Sequence, residues 1–349
     1  MRWDNLVADP NTTGLDGSAP ATPPLPLALT GATARSFPTP DFAGMTFYEI
    51  QAKSIINRVP STSRVPFEWT INPYRGCSHA CVYCFARNTH TYLGLDAGAD
   101  FDRKVIVKTN AGELLRRELA APSWRGGQIA MGTNVDCYQR AEGRYQLLPE
   151  IISALRDFAN PFSILTKGTL ILRDLPLLRQ AAQVTRVSLA CSLGFVDERL
   201  WRAVEPGTPS PGRRLHVVRQ LTEAGFAVEV LMAPILPGLS DDDESIEATV
   251  AAVAGAGATG VTPIALHLRA GARDWYARWL GRAFPHLVPR YRELYGAGAY
   301  SPQSYQRELT ARVRIAARRH GLHPGARRDA PRPPDQPPDQ PHAEQLSLL

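Results

Sequence analysis

Short apolar runs alternate with amphipathic stretches through the middle of the chain, a rhythm that predicts strands interleaved with helices. FEWTI (67–71), RKVIVKT (103–109), QIAMGTNV (128–135), FSILTKG (162–168), VTRVSLACSL (184–193), AVEVLMAPI (227–235) and GVTPIALHL (260–268) have strand length and composition. Between them GELLRRELA (112–120), LPEIISALRDFA (148–159), RDLPLLRQAA (173–182) and SPGRRLHVVRQLTEAG (210–225) carry helical spacing. Another helix is expected to open at Ser240 and Asp241, with Asp242, Asp243 and Glu244 at its positive end. This alternation implies an α/β fold with a parallel sheet.

Beyond Gly271 the pattern changes. WYARWL, PRYRELY and SPQSYQRELTARVRIAARRHG read as helices, the last with Ser301 as cap, Pro302 at its first position and Gly321 at its end. The predicted organisation is a Pro-rich disordered leader (1–44), an α/β unit (45–271), a helical extension (272–323) and a Pro-rich disordered tail (324–349), whose repeated PPDQ has little to bury.

At 349 residues the chain can bury one large core. No apolar run reaches membrane-spanning length, and MRWDNLVADP lacks a signal peptide's basic and apolar regions, so a cytoplasmic protein with reduced thiols is expected. A net charge of +6 points only weakly to a polyanion, since the basic residues are nearly all arginine. Arg312, Arg314, Arg318, Arg319, Arg327 and Arg328 make the C-terminal end basic; a solvated helix face and phosphate contact are both open there.

Three of the five cysteines, Cys77, Cys81 and Cys84, fall at C-x3-C-x2-C spacing in NPYRGCSHACVYCFARNTH. Structural zinc takes four protein ligands, and so does an all-cysteine iron–sulfur cluster. Three thiolates with no fourth nearby therefore point to a [4Fe–4S] cluster with one iron open for a substrate or cofactor. A Cys3His zinc site using His79 or His90, and hence a non-catalytic zinc-binding module, is the competing reading. A secretory disulfide is disfavoured by the odd count and the missing signal peptide.

With Tyr83 just before the third cysteine, this loop resembles that of the radical S-adenosylmethionine (SAM) superfamily. The wider string is similar to the spore photoproduct lyase, DNA-repair-photolyase-like branch, and within it to actinobacterial proteins of unassigned substrate. The likeness runs from Phe47 to Gly271. It implies a partial (β/α)6 barrel, a [4Fe–4S] cluster and SAM as cofactors, and a flavodoxin- or ferredoxin-type electron donor. It also implies reductive cleavage of SAM to a 5′-deoxyadenosyl radical that takes hydrogen from a substrate, with DNA, as a lesion or a base, favoured. Radical modification of a peptide or small metabolite is the alternative.

The same resemblance nominates site residues. In GTNVDCYQRAE (132–142), Thr133, Asn134 and Asp136 become candidates to accept a hydrogen bond from the SAM amino group; strand-end capping is the plainer role. Val135 and Cys137 depart from the branch's pattern, which has Thr and Pro there. Cys137 is a candidate hydrogen donor, although alignment on Asp136 puts Thr133 at that branch's donor position. Lys167 is expected to face the SAM carboxylate or ribose, and Ser192 the ribose. Glu205 and Arg214 match a Glu-Pro…Arg-Leu pattern and are expected to pair near SAM, a surface ion pair being the alternative. Ile235 and Gly238 are expected to supply an apolar shelf and a close backbone approach for adenine. Cys191 reads as a small core residue. Finally, Gln345, Leu346, Leu348 and Leu349 in the terminal QLSLL resemble the short peptide with which bacterial repair proteins dock on the DNA sliding clamp.

Overall fold

The computed structural model describes residues 29, 31–60, 63 and 65–322. Strands β1 (Thr33–Arg35), β2 (Thr46–Ile50) and β3 (Ile56–Arg58) precede β4 (Trp69–Ile71) and β5 (Tyr74–Arg75). The cysteine loop, a 3₁₀ helix over Phe85–Leu93, α1 (Ala99–Arg103), β6 (Lys104–Lys108) and α2 (Ala111–Leu119) come next. Then follow β7 (Ile129–Met131), α3 (Arg140–Tyr145), α4 (Leu147–Asp157), β8 (Phe162–Thr166), α5 (Leu175–Val184), β9 (Val187–Ser192), α6 (Glu198–Val204) and α7 (Pro211–Glu223). The chain continues through β10 (Val228–Ile235), α8 (Asp243–Gly255), β11 (Gly260–Ala265), α9 (Ala272–Ala283), α10 (Val288–Tyr295) and α11 (Gln303–Arg319).

The larger sheet has the order β11-β10-β9-β8-β7-β4-β3. Every neighbouring pair is parallel except β3 with β4. Six parallel strands in sequence order, each leading to a covering helix, make the expected partial barrel. β7 is buried on both faces, with Ile129, Ala130 and Met131 all buried, whereas in β8 and β10 full burial falls mainly on alternate residues and the other face is less covered.

One predicted strand lies elsewhere. Lys104–Lys108 joins a separate four-stranded sheet, β1-β2-β6-β5, pairing in parallel with β2. Its Val105 and Val107 are buried as a barrel strand's would be, so hydrophobicity alone does not distinguish the two sheets. The leader also ends earlier than expected. Thr33–Arg35 pairs antiparallel with β2, and Phe37 and Phe42 pack on Phe47 at ring separations of 5.4 Å. The rest of the leader up to residue 28 lies outside the described residues, as do residues 323–349, with Arg327, Arg328 and the clamp-like Gln345–Leu349.

The boundary drawn at 271 divides the helical layer. α2 packs on α4, α4 on α5, α7 on α8 and α8 on α11, which also covers β11. Leu309, Val313, Ala316 and Ala317 of α11 belong to the main core, so this helix completes the barrel's outer layer. Two predicted caps are corrected. α8 is capped by Asp242, whose side chain accepts from Ser245 N–H at 2.8 Å, while Ser240 accepts from Leu236 N–H at 2.9 Å. α11 starts after Pro302 without a side-chain cap, and Ser301 Oγ has no partner. The basic face of α11 is partly neutralised: Arg312 pairs with Asp243 at 2.7 Å and Arg319 with Glu247 at 3.3 Å, both acids on α8.

Candidate active site at the cysteine loop

In a parallel sheet the loops after the strands converge at the strands' C-terminal ends. The cysteine loop follows β4 and therefore lies on that face. Its turns begin at the cysteines themselves: Ala80 N–H donates to Cys77 O at 3.2 Å, and Cys84 N–H to Cys81 O at 3.2 Å. Ala80 adopts a left-handed φ of 52° between the first two cysteines. Gly76, at φ +85°, must be glycine, because a Cβ there would lie 2.7 Å from Lys104 O.

Three anchors hold this loop, and none was singled out from the sequence. Gln139, fully buried, grips it with both ends of its amide: Oε1 accepts from Ser78 N–H at 2.9 Å and Nε2 donates to Gly76 O at 2.9 Å. Arg87, also fully buried, donates from Nε and Nη2 to Cys81 O and from Nη1 to Gly98 O, and pairs with Asp102 at 2.8 Å. Its guanidinium lies 5.2 Å from the Phe101 ring and 4.7 Å from the Trp275 ring, which accounts for a buried arginine. The third anchor is backbone: Val82 N–H donates to Val204 O and Gly207 N–H to His79 O. Gln139→Leu leaves Ser78 N–H and Gly76 O unpaired, and should cost about 1–3 kcal/mol in a urea unfolding titration.

Cys77 and Cys81 are buried and Cys84 is half-buried. Burial, then Asp136, Cys84 and Cys81, push Cys77 well above its usual range; burial, followed by Glu205, takes Cys81 up to about 12; burial also raises Cys84. Such thiols ionise when a sulfur-binding cation takes the place of the proton. Each histidine of the zinc reading has one ring nitrogen engaged elsewhere, while His90 Nδ1 is buried without a partner among the described residues. His90 Nε2 sits 2.8 Å from Lys104 O, and His79 Nδ1 faces Asp136 Oδ2 at 3.5 Å. Among the described residues no three His, Cys, Asp or Glu side chains converge tightly enough for one ion. Three cysteine thiols in one loop, with no fourth cysteine in that loop, are a donor set that fits a three-thiolate cluster with one iron left free.

Beside the loop runs a buried polar chain made of residues expected at the site. Tyr83 OH donates to Glu205 Oε1, and Arg214 Nη2 donates to Glu205 Oε2 at 2.5 Å. Arg214 Nη1 donates to Ser192 O at 3.0 Å, and Lys167 Nζ to Ser192 Oγ at 2.9 Å. The Lys167 ammonium also lies 5.9 Å from the Tyr83 ring. Glu205 and Arg214 are thus a buried pair and not a surface one. Burial works to raise the Glu205 carboxyl, but Arg214 and Lys167 outweigh it and hold it below the usual range. Burial works to lower the Lys167 ammonium, and Glu205 with Cys81 outweighs it, leaving it raised. Arg214 Nε is buried without a partner.

The remaining expected residues divide. Thr133 and Asn134 are half-buried and make no hydrogen bond among the described residues, so their polar groups are free. Asp136 is engaged by its own fold: Tyr138 N–H, Thr166 Oγ1 and Lys167 N–H donate to it at 2.9, 2.6 and 2.6 Å, tying the loop after β7 to the end of β8. Cys137 is buried in the main core, and burial pushes its thiol well up. Cys191 is a core thiol as expected, raised by burial to about 11. Ile235 is buried at the end of β10. Gly238 makes its close approach to Leu287, where a Cβ would lie 2.8 Å from the leucine side chain, and its N–H donates to Asp241 at 2.6 Å.

With that geometry in place, comparison with known proteins is informative. The profile of the radical SAM superfamily matches residues 71–250. An uncharacterized protein of Mycobacterium tuberculosis is 50% identical over 313 residues, 90% of this chain and 91% of the relative. An uncharacterized protein of Methanocaldococcus jannaschii is 28% identical over 195 residues, 55% of this chain and 69% of the relative. Among solved structures, spore photoproduct lyase complexed with dinucleoside spore photoproduct aligns with a TM-score of 0.59 at 16% identity, covering 78% of this chain and 79% of that one. A mutant of the same enzyme with bound SAM and dinucleoside spore photoproduct aligns with a TM-score of 0.58 at 14% identity, covering 78% of both chains. At these identities the structural likeness establishes the fold.

Proposed function

Because the chain belongs to the radical SAM superfamily, whose members are enzymes using a [4Fe–4S] cluster and SAM, we propose that it abstracts hydrogen from a nucleic-acid substrate, a DNA lesion or base. When bound, the cluster and SAM supply reductive cleavage of a C–S bond and a 5′-deoxyadenosyl radical. Cys77, Cys81 and Cys84 would hold the cluster. The observation that carries the reading is the buried chain Tyr83–Glu205–Arg214–Ser192–Lys167 set against this loop.

Each residue has a distinct task in that arrangement. Lys167 has spent one of its three donors on Ser192 and keeps the others for the carboxylate or ribose of SAM. Thr133 and Asn134 have unspent acceptors for its amino group. Tyr83, kept protonated by burial and by Glu205 among other charges, locks the middle of the loop onto the buried ion pair. Leu266, Leu268, Tyr276 and Leu280 share an apolar cluster with Cys81, Val82 and Tyr83, which keeps water from the loop's outer side. No helix among the described residues is long and apolar enough to cross a membrane, and a flavodoxin- or ferredoxin-type protein is the natural electron donor. DNA is favoured as substrate because spore photoproduct lyase, with the same fold, binds a dinucleoside photoproduct.

The test is anaerobic reconstitution with iron and sulfide, then dithionite and SAM with and without ultraviolet-irradiated DNA. About four irons per chain, 5′-deoxyadenosine formation, its loss when Cys77, Cys81 and Cys84 are all changed to Ala, and stimulation by DNA are expected. One zinc and no cleavage would overturn the enzyme reading. Cleavage indifferent to DNA would move the substrate to a peptide or small metabolite.

A further inference from the structure

A row of aromatic rings ends open beside the cysteine loop. Phe85, the residue after Cys84, contacts His267, which follows the last barrel strand, in a tilted pair with ring centroids 5.8 Å apart at 39°; His267 in turn makes a tilted contact with Tyr300 at 5.7 Å and 30°. The column is held by backbone: His267 and Tyr300 form a β-bridge, and Leu268 N–H donates to Ala299 O at 2.7 Å. Gly271, at φ +83°, fixes the loop against the 3₁₀ helix, for a Cβ there would meet Asn88 Oδ1 at 2.5 Å. Tyr300 is the outermost ring, 57% exposed, and no further ring covers it among the described residues. Arg269 runs along the flank, its guanidinium 5.2 Å from the Phe85 ring and its Nη2 3.4 Å from Tyr300 OH, with no carboxylate partner among the described residues.

We propose that Tyr300, backed by His267 and flanked by Arg269, is a stacking platform for one unpaired nucleobase of DNA, with Arg269 taking the adjacent phosphate. This rests on the nucleic-acid reading above and names the groups that would receive the substrate. The last ring of this row is half in solvent and carries a cation beside it. Every base has a flat π face, so an aromatic surface with a neighbouring arginine holds a base that has left its helix. His267 suits the inner position: burial, with help from Arg269, lowers its pKa to about 4, so the ring is neutral at physiological pH and does not repel the arginine. The column's inner end at Phe85 places the platform on the same barrel face as the cysteine loop.

The test compares binding of the full-length reconstituted protein to two short DNA duplexes, one carrying an unpaired thymidine and the other an abasic site at that position. Wild type should favour the thymidine by about tenfold. Tyr300→Ala should erase the preference, and Tyr300→Phe, which keeps the ring, should retain it. Arg269→Gln should weaken both duplexes alike and lower the salt slope by about one. A preference that survives Tyr300→Ala, or wild-type binding of both duplexes with no preference, overturns the platform and leaves the nucleic-acid reading standing. Binding of neither duplex overturns both.

Discussion

Arg214→Leu is expected to destabilise the protein by about 3–5 kcal/mol, because it leaves Glu205 buried without its ion-pair partner. Glu205 is 0% exposed and Arg214 1% exposed, so water cannot substitute for the lost guanidinium. Replacing both members, Glu205→Gln with Arg214→Leu, should cost less than Arg214→Leu alone, since no orphaned charge remains. The pH dependence separates this cause from simple loss of packing. In the wild type Glu205 is held below its usual range, so its stabilisation is present above the unfolded-state pKa and is lost as pH falls through the lower folded value. In Arg214→Leu, burial, the largest influence on this carboxyl, is opposed by less positive charge and the folded pKa rises. Protonation then relieves the buried charge, so the destabilisation should shrink as pH falls toward the ordinary carboxylate range. Urea unfolding midpoints at neutral and mildly acidic pH measure both effects; a penalty constant with pH would indicate lost packing alone.

The apolar periodicity carried the barrel well because buried parallel strands are locally hydrophobic and their helices locally amphipathic. It misplaced Lys104–Lys108 because the choice between two sheets is made by partners, here Thr46–Ile50, far away in sequence. It cut α11 away from the barrel because a basic solvent face masks the Leu309 and Val313 stripe that covers β11. At the site, spacing nominated the cysteines, and resemblance nominated Lys167, Ser192, Glu205 and Arg214, which the structure joins into one hydrogen-bonded chain. Gln139 and Arg87 were not legible. A glutamine that clamps two backbone groups and an arginine buried between two rings depend on contacts with residues outside their own segment, and long polar side chains ordinarily read as surface. Asp136, nominated from its position near the strand end, also does the plainer capping work there, accepting from Tyr138, Thr166 and Lys167.

Gly207→Ala tests whether the cysteine loop is positioned from outside, and it should strip most of the iron from reconstituted protein while the barrel stays folded. A Cβ at Gly207 would lie 2.0 Å from Ser78 O and 2.9 Å from both the carbonyl carbon and the oxygen of His79. All are backbone atoms, so no side chain can swing aside. Either the Gly207 segment or the cysteine loop must move. The loop is held on its other side by Gln139 and Arg87, so the shift also strains the Gly207 N–H to His79 O bond. Positions 78 and 79 lie between Cys77 and Cys81, and moving them changes the spacing of two of the three thiols. Gly212→Ala is the control, since its Cβ would meet nothing within 4 Å inside α7, and alanine there should stabilise by about 0.5–1 kcal/mol. Iron per chain and the thermal unfolding midpoint should therefore separate: Gly207→Ala loses metal with a modest fall in midpoint, and Gly212→Ala keeps metal with a small rise. Full iron loading in Gly207→Ala would mean the loop tolerates displacement, and that the anchors described here secure the fold and not the spacing of the thiols.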